Sequence, residues 1–140
     1  MEVGLTPGDL DRFQRSLERC LADATFASRF YARFLLANEE IAEKFANTDL
    51  KTQGTVLKRS LYLVMRAAHG LEDGLDHLER IAESHSHRKL AIPAHHYGIW
   101  LDTLILVMRE TEPAYEDGLE ELWRAVFQPC IDRMVGASGS

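Results

Sequence analysis

Apolar residues recur three and four positions apart along nearly the whole chain, a spacing that predicts helices and little else. Leu10, Phe13, Leu17 and Leu21 share one face of a first helix, with Thr6 as its cap and Pro7 as its opening residue. After a break at Asp23-Ala-Thr25, a second helix runs from about Phe26 to Leu36 and carries Phe26, Phe30, Tyr31 and Phe34. Asn38, followed by Glu39 and Glu40, reads as the cap and acidic first turn of a short third helix ending near Phe45. A polar corner at 46–49 leads into a long helix reaching about Ala68, with Leu50, Val56 or Leu57, Leu61, and Val64 or Met65 inward.

Gly70 and Gly74 bracket a turn around Leu-Glu-Asp, and a helix follows from about Leu75 to Ser86. Pro93 opens the next one, which runs to roughly Arg109 with Tyr97, Trp100 or Leu101, Leu104, and Val107 or Met108 buried. A turn at Thr111-Glu-Pro113 precedes a last helix carrying Tyr115, Leu119, Leu122, Trp123, Val126, Phe127, Ile131 and Met134. Pro129 lies inside it, removes one backbone donor and predicts a kink. Neither strand alternation, internal repeat nor glycine-rich phosphate loop is present. The fold class is all-α, with seven or eight helices of unequal length, unlike the matched helices of an up-down bundle.

At 140 residues the chain is one domain with a sizeable core. We assign it residues 1–136, with 137–140 as a flexible tail. A net charge of −6 argues against nucleic acid or an anionic membrane as the main partner. The most apolar window, Ile99 to Met108, is short and interrupted by Asp102, so no membrane span is expected. Cys20 and Cys130 have neither metal-ligand spacing nor a disulfide framework and read as buried free thiols. With no basic and apolar leader at the N-terminus, the expected address is cytoplasmic.

One stretch departs from ordinary core patterning. In Leu78-Glu-Arg-Ile-Ala-Glu-Ser-His85, Leu78, Ile81 and Ala82 line one helix face, and His85 continues it. An imidazole on an apolar surface needs a partner for its ring nitrogens, or its burial costs free energy. A core histidine bonded to a carbonyl meets that need, and so does a histidine bound to a metal. Singly, Tyr31 and Phe45 are ordinary core aromatics, and Gln53 an ordinary exposed helix residue. His69 and His77 read as solvated, and the adjacent His95 and His96 as surface or interface residues.

Taken in order, these residues resemble the bacterial single-domain globins. Phe45 resembles the phenylalanine that packs on the porphyrin, and Tyr31, fourteen residues before it, resembles the distal tyrosine. Gln53, eight residues after Phe45, resembles the distal polar residue, with Leu57 one turn further on. His85 resembles the proximal ligand, and Ile92-Pro93 with Tyr97 resembles the start of the following helix. His87 competes with His85, since it has the more usual interval before Tyr97; helix phase favours His85 and lengthens the corner from Ser86 to Ile92. Arg88 and Lys89 in that corner fit a haem propionate or, equally, the helix dipole.

The resemblance implies a globin fold around haem b, with His85 on the iron and a second axial position open to O2, CO or NO. Tyr31 and Gln53 would donate hydrogen bonds to the bound gas. It also leaves room for a haem-based gas sensor, or for an NO dioxygenase served by a separate reductase, and for a homodimer. Flavin-linked relatives carry a glutamate in the last helix that joins a tyrosine and the proximal histidine. Tyr97 resembles that tyrosine, but no acid lies between Asp132 and the end, so peroxidase-like chemistry is not expected.

Overall fold

The computed structural model describes residues 5–84 and 94–138. Among them are seven helices and no strand: α1 (Pro7–Ala22), α2 (Phe26–Ala37), α3 (Glu39–Lys44), α4 (Leu50–Ala68), α5 (Glu72–Ser84), α6 (Ala94–Thr111) and α7 (Leu119–Ser138). No described helix is long and apolar enough to cross a membrane.

Local chemistry fixes the starts of α1, α3 and α4. Thr6 and Asp9 form a reciprocal capping box at α1, with Pro7 beside it. The Asn38 side chain accepts from Ile41 N–H and starts α3, and Asp49 accepts from Lys51 and Thr52 N–H to start α4. α7 continues through Pro129 to Ser138, beyond the expected boundary at 136.

The core forms where α6 runs between α2 and α7. Leu101, Leu104, Ile105, Val107 and Met108 are all buried, as expected of a helix covered on more than one side. Phe13 of α1 meets the rings of Trp123 and Phe127 edge-on, with centroids 5.3 and 5.7 Å away, which docks α1 onto α7. Three expectations need correction. Leu50 is exposed at the first residue of α4, whereas of the alternatives Val56 and Leu57 it is Leu57 that is buried. Tyr115 lies in the turn before α7, where the Arg109 guanidinium sits 5.3 Å from its ring centroid. Cys20 is buried as expected, but Cys130 is only half-buried.

Two glycines set helix spacing. Gly54 of α4 is buried where α4 crosses α2, and a Cβ there would come within 3.1 Å of Ala27 Cβ. Gly74, expected to close a turn, instead lies in the first turn of α5, directly against the backbone of α4. A Cβ at Gly74 would overlap backbone atoms of Leu63, Arg66 and Ala67, none of which can rotate away.

A buried polar network joins α1 to the turn between α6 and α7. Glu112 is 5% exposed and takes hydrogen bonds from Ser16 Oγ (2.5 Å), Arg19 Nε (2.6 Å) and Ala114 N–H (2.9 Å). Trp123 Nε1 donates to Ser16 Oγ at 3.0 Å, so both core polar groups are satisfied. Burial pushes the Glu112 carboxyl up, but the bonds from Arg19, Ser16 and Ala114 outweigh it and leave the pKa below the usual value of 4.5.

Two outcomes follow for stability. Gly74→Ala gains helix propensity of about 1 kcal/mol but overpacks a rigid backbone contact, so urea melts should show a net loss of about 1–3 kcal/mol or more. Glu112→Gln should lose about 1.5–3 kcal/mol, the worth of a hydrogen-bonded charge. Because the folded pKa of Glu112 is depressed, its contribution is full above the unfolded value and disappears as pH falls through the folded one. The wild-type protein should therefore weaken more steeply below pH 4.5 than Glu112→Gln in acid titrations followed by circular dichroism.

Candidate functional site

A cavity of about 410 Å³ lies among α2, α3, α4, α5, α6 and α7. Tyr31 and Phe34 of α2 form one wall with Phe45, the C-cap residue of α3. α4 contributes Gln53, Leu57, Ser60, Leu61 and Val64, and α5 contributes His77. Tyr97 and Trp100 of α6 face Ile131 and Met134 of α7 across the interior. The lining is mostly aromatic and aliphatic, with polar groups at separate points, which is the usual build of a small-molecule site.

All five described residues expected here from the sequence line this one space: Tyr31, Phe45, Gln53, Leu57 and Tyr97. His85, the rival His87, Arg88, Lys89 and Ile92 lie outside the described residues.

Tyr31 is 5% exposed, with its ring centroid 5.9 Å from that of Phe45. Its hydroxyl is 3.5 Å from the Gln53 carbonyl oxygen, a long contact that holds the proton weakly. Burial pushes the phenol pKa up and bonding to Gln53 offsets part of that, so Tyr31 is a protonated donor at neutral pH. Gln53 sits one turn into α4, where the Asp49 cap sets the helix start, and Leu57 lies one turn further along.

Two histidines expected at the surface belong to the cavity. His96 is only 4% exposed, lines the cavity, and places Nε2 3.1 Å from Glu40 Oε1. His77 is half-buried, with Nε2 2.9 Å from Ser60 Oγ. Desolvation, then the nearby Arg80 and Arg59 charges, lowers its pKa, so it is neutral at pH 7. A signal for burial was present for His96 alone, which shares a helix face with Trp100, Thr103 and Val107. His77 is covered because it follows Gly74 on the side that meets α4, a contact the pattern does not show. Lys44 was also missed; it is exposed at the rim of the cavity.

No protein-family model matches the chain, and no curated protein matches it in sequence. Among solved structures, it is similar to the crystal structure of protein PA3967 from Pseudomonas aeruginosa PAO1, described as structurally highly homologous to a human hemoglobin. The TM-score is 0.87 and the identity 30%, over 94% of this chain and 99% of the Pseudomonas chain. With that identity maintained across almost all of both chains, the protein belongs to the same haemoglobin-like family as PA3967 and has the globin fold.

Proposed function

We propose that this protein binds haem b and uses it to bind O2 and other diatomic gases reversibly. The observation that carries this reading is the convergence of Tyr31, Phe45, Gln53, Leu57 and Tyr97 on one apolar cavity within a globin fold. When bound, haem b would supply an iron able to take up O2, CO or NO.

The lining suits such a group. Phe45, Leu57, Trp100 and Ile131 offer apolar surface to a flat macrocycle, and the cavity volume lies in the range of organic-cofactor sites. Lys44 at the rim offers a cation for a carboxylate substituent, a role also suited to Arg88. His85 is the proposed iron ligand. α5 lines the cavity through His77, and Leu78 packs against the core. In the sequence pattern His85 is in phase with Leu78 and Ile81 and His87 is not, which supports His85 as the ligand. Neutral imidazole is the strong donor that haem iron requires.

On the other side, Tyr31 acts as the principal hydrogen-bond donor. Its protonated phenol has only a weak existing contact to give up, so turning toward a polar gas ligand costs little. The Gln53 side-chain amide is a second donor, and the apolar surroundings strengthen each bond. Burial of Tyr31, 5% exposed, keeps its ring out of water.

The purified protein should show a Soret band that shifts when the ferrous form takes up CO; its absence would sink the haem reading. His85→Ala should abolish that band, whereas His87→Ala should keep it; the reverse pattern would transfer the ligand role to His87. Tyr31→Phe should raise the O2 dissociation rate by about tenfold, from a bond worth ~1–3 kcal/mol. A rate unchanged in stopped-flow measurements would make Tyr31 a packing residue only.

A further inference from the structure

Glu40 of α3 and the paired His95 and His96 in the first turn of α6 form a cluster outside the set assigned to the haem. Nε2 of His95 lies 3.3 Å from Glu40 Oε1, and Nε2 of His96 lies 3.1 Å from the same oxygen. All three ligand atoms fall within 4.8 Å of one another. The two rings meet edge to face, at 80° with centroids 4.5 Å apart, so adjacent residues on one helix still aim the same ring atom at one point.

These separations match a coordination edge. Bonds of roughly 2.0–2.1 Å in tetrahedral geometry place neighbouring donors about 3.3 Å apart. Burial gives the cluster a fixed and an open side. The His96 side chain is 5% exposed and held by the fold, while those of His95 and Glu40 are 59% and 63% exposed, leaving room for water as further ligands. Hydrogen bonds from His96 and then His95 already hold Glu40 below the ordinary carboxylate range, so its oxygens are anionic at neutral pH.

From this geometry we infer that Glu40, His95 and His96 bind one divalent transition-metal ion of the zinc type, through two imidazole nitrogens and one carboxylate oxygen. Imidazole donors select zinc, copper or nickel over calcium and magnesium, which take oxygen ligands. The ion replaces the hydrogen bonds to Oε1: each ring gives up the proton on Nε2 to solvent, carries one on Nδ1 instead as the other neutral tautomer, and offers its Nε2 lone pair to the metal. Bound there, it fastens α3 to the start of α6, next to the cavity that His96 lines.

Calorimetric titration of the purified protein with Zn2+ tests the site. Glu40→Gln and His95→Ala change exposed side chains, so both variants should fold. Each should weaken one zinc equivalent at least about tenfold, since even groups that merely orient metal ligands are worth ten- to hundredfold. His69→Ala, an exposed histidine outside the cluster, should bind as the wild type does. Zn2+ should also raise the melting temperature of the wild type more than that of either cluster variant. Absence of zinc binding, or wild-type affinity in either cluster variant, would overturn the assignment. The outcome is independent of whether the protein takes up haem.

Discussion

The constraint on which this structure depends is an apolar space kept open inside a small helical domain. A dry, sealed void costs about 24 cal/mol per Å³, so 410 Å³ of it would cost on the order of 10 kcal/mol. That is comparable to the whole stability of a typical domain, about 5–15 kcal/mol. A fold with such a space needs walls that resist collapse, and a ligand filling it would recover the lost contacts.

The walls are stiff for identifiable reasons. Gly74 brings the α5 backbone directly onto α4, and Gly54 lets α4 pass close to α2. Both contacts act at the helix axes, leaving the larger side chains of α4 to point elsewhere, among them Gln53 and Leu57 toward the cavity. Phe13 packs edge-on against Trp123 and Phe127, and Phe127 meets Trp100 at the cavity wall with centroids 5.9 Å apart. The Glu112 network sits behind that layer and ties α1 to the α6–α7 turn. The Glu112 network and Phe13 thus brace the fold from outside the lining, whereas Trp100 and Phe127 serve as both core and wall.

Much of this was legible in the sequence, and the misses share a cause. Helix caps are local chemistry, so Thr6 and Asn38 marked their helix starts correctly, and the polar corner at 46–49 ends on the Asp49 cap. Tyr31, Phe45, Gln53, Leu57 and Tyr97 could be grouped because their order and spacing follow a known pattern, and they do share one cavity. Gly74 could not be read in the same way, since glycine signals a turn and a close helix contact equally well. His96 and His77 gain their meaning from Glu40 and Ser60, partners 56 and 17 residues away. No local window contains those pairings. Tyr115 extended the apolar pattern of the last helix but sits in the turn, where it meets Arg109 instead.

His96 connects the two sites proposed for this protein. Its ring borders the cavity, while its Nε2 faces Glu40 on α3. The same short helix ends at Phe45, whose ring packs near both Tyr31 and Phe34. A tether between Glu40 and the start of α6 thus acts on the element that carries one wall of the cavity. A helix of six residues has few contacts of its own, so its position responds to what holds its two ends. If metal binding shifts α3 enough to change how Tyr31 meets a gas ligand, the gas must change metal affinity by the same factor, because coupling between binding sites is reciprocal.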